Sequence, residues 1–233
     1  MESQKITKAR SAESKRRYDD ACAATHGMDI IGERWALPVM RELMLGPRRF
    51  GELKASLHGI SANVLTQRLE GLEAAGVLRR TRLPPPASVQ VYELTPWGYE
   101  AGPIFQAMGR WAVKSPAHDP TRPFSAVSLM LSFRTMMDVE RTRELAARIG
   151  FRIGEQSFLL GIDHGRVELG RGDHAGADLV FTGSTAALGA AAYGGVPLAE
   201  LERAGELAIE GDRKLAERFV KLFPLPAKAE AGK

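Results

Sequence analysis

Residues 59–80 read GISANVLTQRLEGLEAAGVLRR. Ser61 is a good N-cap, and Leu65, Leu69 and Leu72 recur at i, i+4 and i+7. That spacing predicts a helix starting at Ser61 and stopping at Gly76. At roughly 100° per residue, Asn63, Gln67 and Glu70 fall opposite the leucines, with Val64 and Thr66 on the flanks. This outward side is polar yet carries little charge. Asn and Gln can pair bidentately with an adenine edge, and Thr and Val can meet a thymine methyl. A helical hairpin with a polar surface would show the same pattern, so the flanking sequence has to decide.

Upstream, GPRRFGELKASLHG at 46–59 places Phe50, Leu53 and Leu57 on one face, with Pro47 set to open a helix and Gly59 to end it. A short turn then joins two helices in the helix-turn-helix manner. Arg48 and Arg49 stand at the start of the first, where free N–H groups favour a phosphate. Earlier still, Trp35, Val39, Met40 and Leu43 recur at helical spacing, and Pro38 is tolerable only if that helix begins close to Arg34.

Downstream, VLRRTRLPPPASVQVYEL at 77–94 holds two strand-like runs, Val77–Leu83 and Val89–Leu94, around a proline-rich turn. Arg79, Arg80 and Arg82 stud the first run. A basic two-stranded ribbon directly after a candidate recognition helix reads as a wing that lies along phosphates or enters the minor groove. Thr95 and Pro96 then start another helical region. Its stripe is Trp97, Ala101, Ile104, Phe105, Met108 and Trp111. So broad an apolar face reads in part as a dimer contact, since two-fold symmetry presents two recognition helices to successive major grooves. Packing against a second domain is the alternative.

The chain has 233 residues, 44% apolar and 26% charged, which suits two modest soluble domains. No apolar run reaches membrane-spanning length, and residues 1–20 lack a signal-peptide core, so no membrane partner is expected. One cysteine excludes an internal disulfide framework and suits a bacterial cytoplasm. Residues 1–117 carry 17 basic against 12 acidic side chains, whereas 118–233 carry 15 against 16. The front half is therefore the candidate for a polyanion. The expected organisation is a flexible tail (1–20), a first domain (21–116), a proline-rich linker (117–123), a second domain (124–226) and a closing tail (227–233). The class is α+β.

From Cys22 to about Trp111 the chain resembles the HxlR-type winged-helix regulators of bacteria. The phrases that carry the likeness are MDIIGERW, RELMLGPRRFGELKASLHGISANVLTQRLEGLEAAGVLRR and VYELTPWG, in family order and spacing. The resemblance implies a dimeric transcription factor whose helix 61–75 enters the major groove of double-stranded DNA while residues 79–94 form the wing. Glu70 stands where the family often has a basic residue, and Ala23 where it commonly has proline. The expected DNA-contacting residues are Arg48, Arg49, Ser61, Asn63, Val64, Thr66, Gln67, Arg68, Arg79, Arg80 and Arg82. Some members use the cysteine corresponding to Cys22 as a redox or electrophile sensor, a role that needs a thiolate and that His26, one turn on, would assist. A small buried residue is the plainer reading of Cys22.

In the second half, residues 124–150 suggest a helix with Leu129, Phe133, Met136 and Met137 toward a core. SFLLGIDHGRVELGRG reads as strand, tight turn, strand, and ADLVFTGS as another strand. Ser184 caps a helix of small residues, and Asp212 caps a last helix with stripe Leu215, Phe219 and Leu222. This order resembles the sterol carrier protein-like domains, with a mostly antiparallel sheet. The resemblance implies an apolar tunnel whose wall would include Met136, Phe158, Leu160, Phe181, Leu188 and Tyr193. The same residues would serve as the core of any small α/β domain. His118, His164 and His174 lack metal-ligand spacing, and no phosphate loop or catalytic triad signature is present, so no metal, cofactor or enzymatic activity is expected.

The sequence therefore points to a sequence-specific DNA-binding regulator, read as a dimeric repressor under the control of an apolar small molecule in the second domain. Two alternatives stand beside it: a lipid or acyl-group carrier dimerised by its front domain, and a thiol-sensing regulator acting through Cys22.

Overall fold

The computed structural model describes residues 18–230. All but the last three residues of the expected tail 1–20, and residues 231–233 of the closing tail, lie outside that range. Contacts divide the chain into two units. One runs up to residue 43 and resumes over 48–98; the other takes 44–47 and everything from 99 onward.

The first unit begins with α1 (Ala23–Ile31), α2 (Ala36–Leu43), α3 (Phe50–Ser56) and α4 (Ala62–Ala74). Pro38 is the third residue of α2, where its missing N–H costs no intrahelical bond. Trp35 precedes that helix instead of opening its stripe. Its φ of 79° is left-handed, an uncommon region for an aromatic residue, and its carbonyl accepts the Val39 N–H at 2.9 Å. Ser61 caps α4 by accepting the Val64 N–H at 3.2 Å. The other end closes through Gly76, whose φ of +75° lets the Val77 N–H reach back to the Leu72 carbonyl at 2.9 Å. Leu65, Leu69 and Leu72 are buried, together with Val39, Leu43, Leu53 and Leu57. The core thus unites the stripes of the three helices.

Strands β1 (Leu78–Arg82) and β2 (Gln90–Leu94) pair antiparallel, with Arg79 opposite Glu93 and Arg80 opposite Tyr92. Both are slightly shorter than the runs expected from sequence. Arg48 exchanges backbone hydrogen bonds with Tyr92 at 2.9 and 2.8 Å, which fixes the start of α3 beside the wing. Thr95 caps the short α5 (Pro96–Tyr99), its hydroxyl accepting the Gly98 N–H at 3.1 Å.

The second unit contains α6 (Gly102–Ala112), α7 (Ala126–Met136), a 3-10 turn (Glu140–Thr142), β3 (Ala146–Ile153), β4 (Gln156–Asp163), β5 (Arg166–Arg171), β6 (Leu179–Gly183), α8 (Thr185–Tyr193), α9 (Leu198–Arg203), β7 (Leu207–Gly211) and α10 (Arg213–Phe219). The sheet order is β5-β4-β3-β6-β7. Every neighbouring pair is antiparallel except β3 with β6, which makes the sheet mixed. The expected helix over 124–150 is corrected here: it ends at Met136, and 146–153 is the central strand. Ala147, Ile149, Phe151 and Ile153 face inward while Arg148 and Arg152 face out, a period of two. Ser184 and Asp212 cap α8 and α10 as their sequences predict.

The boundary expected near residue 116 would leave α6 with the first domain, whereas its contacts place it in the second unit. The Arg110 Nε–H donates to the Thr135 carbonyl at 3.1 Å, and Gly109 lies against the side chains of Thr135 and Met136. At its C-terminus the Lys228 ammonium donates to the carbonyls of Val113 and Ser115 at 3.0 and 3.2 Å. The Ala229 N–H meets the Lys114 carbonyl at 2.7 Å.

Candidate nucleic-acid interface

Burying the three leucines of α4 obliges its other side to face solvent. Ser61, Asn63, Thr66, Gln67 and Glu70 are exposed, and Val64 is half-buried at the flank. No proline or glycine interrupts the helix before Gly71, and the Ser61 cap fixes where its first turn begins. The result is a rigid ridge bearing amide and hydroxyl groups at successive turns, a shape and chemistry suited to base edges in a major groove.

The arginines around this ridge divide into two kinds. Arg48, expected to hold a phosphate, and Arg68, expected to contact DNA, are turned inward. Arg48 is 6% exposed; its guanidinium approaches the Ser56 hydroxyl at 3.4 Å and the Glu52 carboxylate at 3.5 Å. Glu52 also accepts the Arg49 N–H at 2.7 Å. The N-terminus of α3 therefore already holds an anion supplied by the chain itself, and Arg48, of the two arginines there, is turned away from an incoming phosphate. Arg68 pairs with Glu33 at 3.3 Å and its side chain is only 20% exposed. Neither group reaches outward as a backbone contact must.

Arg49, Arg79, Arg80 and Arg82 are exposed. Arg79 donates through Nε and Nη2 to one oxygen of Glu93, at 3.1 and 2.8 Å. Arg80 lies over the Tyr92 ring, 5.4 Å from its centroid, and approaches Glu73 at 3.4 Å. Arg82 donates instead to a backbone carbonyl, that of Ser88, at 3.0 Å. Sequence reasoning found the arginines and missed these carboxylates. Their pairing follows from the register of the hairpin, in which 79 faces 93 across the ladder.

Cys22 is exposed, against the plainer expectation of burial, and forms the N-cap of α1. The Thr25 and Ala24 N–H groups hold its thiol below the ordinary cysteine range, with the Thr25 side chain adding to the effect. The His26 ring, expected to assist, lies 3.7 Å from the Asp29 carboxylate instead.

The six side chains expected to wall a tunnel are packed as core. Phe158, Leu160, Phe181 and Leu188 are buried, while Met136 and Tyr193 are half-buried. Phe133 stands at the centre of the surrounding cluster, 4.7 Å from the Phe223 centroid, 5.6 Å from Phe219 and 5.8 Å from Phe151. Phe151 stacks on Phe181 in turn. The Tyr193 hydroxyl meets Ser132 Oγ at 2.6 Å, and burial raises its pKa above the ordinary tyrosine value. An open trough of about 830 Å³ does cross β3, β4 and β5, lined by Arg148, Leu159, Gly161 and Glu168 among others, but none of the six borders it.

Residues 30–119 match the HxlR-like helix-turn-helix family, and residues 134–224 match the SCP-2 sterol transfer family. Among curated proteins, the Bacillus subtilis HTH-type transcriptional regulator YvaP is 34% identical over 87 residues, which is 37% of this chain and 81% of YvaP. YodB of the same organism, also an HTH-type transcriptional regulator, is 35% identical over 83 residues, 36% of this chain and 74% of YodB. The solved structure of the reduced form of YodB shares 30% identity over 43% of this chain and all of that one, with a TM-score of 0.39. The chain belongs to the HxlR-like helix-turn-helix family, and it carries an SCP-2 domain behind the winged helix. No helix among the described residues is long and apolar enough to cross a membrane.

Proposed function

We propose that this protein is a sequence-specific transcriptional regulator, a repressor that binds operator DNA as a two-fold dimer. The carrying observation is the exposed polar side of α4, with Asn63, Thr66 and Gln67 held outward by a buried leucine stripe and flanked by the wing. Asn63, Thr66 and Gln67 read bases, Val64 adds apolar contact, and Arg49, Arg80 and Arg82 hold phosphates. The dimer contact comes from α6, where Ile104, Met108 and Trp111 are exposed at i, i+4 and i+7.

The test is selection of binding sites from random duplexes, followed by Gln67→Ala. The substitution is expected to cost about 1–3 kcal/mol at one base pair of the selected site and little on unrelated DNA. Failure to enrich any sequence, or an equal loss on all duplexes, would remove Gln67 from base reading.

A thiol-sensing mode is favoured by one specific observation, the exposed Cys22 thiol with its lowered pKa. With one cysteine in the chain, a disulfide formed on oxidation has to be intersubunit or mixed, and electrophiles would act by alkylation. Release of operator DNA by oxidant in the native protein, but not in Cys22→Ser, is the expected outcome. For an apolar effector to enter the second domain, the rings around Phe133 must part. Such a ligand would regulate only by binding one dimer geometry better than the other.

A further inference from the structure

We infer that Glu93 limits the grip of the wing by occupying Arg79, so that this arginine reaches a phosphate only when the carboxylate lets go. The inference rests on the DNA-binding reading of α4 and the wing, and it concerns what sets the affinity of that site.

The geometry is local and specific. Arg79 and Glu93 are directly opposed across the two-stranded ladder, so the backbone register holds their side chains together. Two guanidinium nitrogens converge on the single oxygen Oε2 of Glu93. The Arg79 side chain is 62% exposed and that of Glu93 only 26%, which leaves the cation outermost and the carboxylate beneath it. A phosphate approaching Arg79 meets a guanidinium already neutralised, with an anion directly behind it. Arg82, anchored by the neutral Ser88 carbonyl, keeps its full charge for the duplex.

Counterion release makes the difference measurable. Each phosphate neutralised by a protein cation contributes about 0.9 to the slope of log affinity against log salt, whereas a cation satisfied within the protein contributes nothing. Glu93→Gln keeps the size and an acceptor oxygen and removes the charge. The ladder and the fold of the wing do not depend on that charge, since the strands pair through backbone groups.

The experiment uses the full chain and a labelled random-sequence duplex of about 30 base pairs, titrated between about 50 and 200 mM salt. Glu93→Gln is expected to bind about threefold or more tightly at the upper salt, with a slope steeper by about 0.9. In an Arg79→Gln background the same change should leave the slope where it was, because no cation is set free. A wild-type protein that binds DNA and a Glu93→Gln variant with unchanged or shallower slope would overturn the inference and leave the DNA-binding reading standing. An equal steepening in the Arg79→Gln background would overturn it too, showing generic repulsion in place of competition. If neither protein binds any duplex, the inference falls together with the reading on which it rests.

Discussion

Cys22 owes its lowered pKa to position. It caps α1, and the Thr25 and Ala24 N–H groups stabilise the thiolate over the thiol. The sign is direct: a group whose charged form is favoured in the folded chain becomes reactive at lower pH than in the unfolded chain. Alkylation by iodoacetamide, followed against pH, should therefore reach half-maximal rate at lower pH in native protein than in urea. Coincident profiles would show that the helix terminus does nothing for this thiol. Arg48 teaches the opposite lesson about position. Its sequence context, two arginines at a helix start, suggests phosphate binding, yet its backbone ladder to Tyr92 draws the side chain inside. Burial is decided by long-range pairing that adjacent residues do not reveal.

Single elements carry much of the stability of the second unit. Phe133 on α7 touches four other rings, three of them from strands or helices more than ten residues away. Phe133→Ala removes the hub and leaves a cavity, at a cost of about 3–5 kcal/mol by denaturant titration. A loss below about 1 kcal/mol would mean that the cluster collapses around the gap. At this scale the sequence was legible where one period dominates: the leucines of α4, its Ser61 cap, the hairpin at Asp163-His164-Gly165 and the caps Ser184 and Asp212 all lie where their patterns put them. It was illegible at β3, because the helix-favouring RELAAR runs into the strand without a breaker, and the alternation begins only at Ala147. The wing carboxylates were hidden for another reason. Their significance depends on the register, and so on how many residues the proline-rich turn consumes.

For the molecule as a whole, the exposed stripe Ile104, Met108 and Trp111 predicts self-association. Trp111 is 76% exposed, and a charge at that position would have to be desolvated in any paired state. Trp111→Glu is expected to shift sedimentation from dimer to monomer and to weaken operator binding through loss of the second half-site. Unaltered sedimentation of the variant would place the contact elsewhere. The two matched families also meet in this helix: residues 102–112 fall within the HxlR-like match, while their contacts belong with the SCP-2 portion.

The clasp at the end of α6 gives that overlap a practical meaning. Lys228 and Ala229 bond to the carbonyls of Val113, the C-cap of α6, and of Lys114 and Ser115 just beyond it. Trimming the chain just before them would strip a fastening from the very segment through which two copies are expected to join. Damage at residues 228–229, remote in sequence from any base-reading residue, should thus be felt as impaired pairing before it is felt anywhere else.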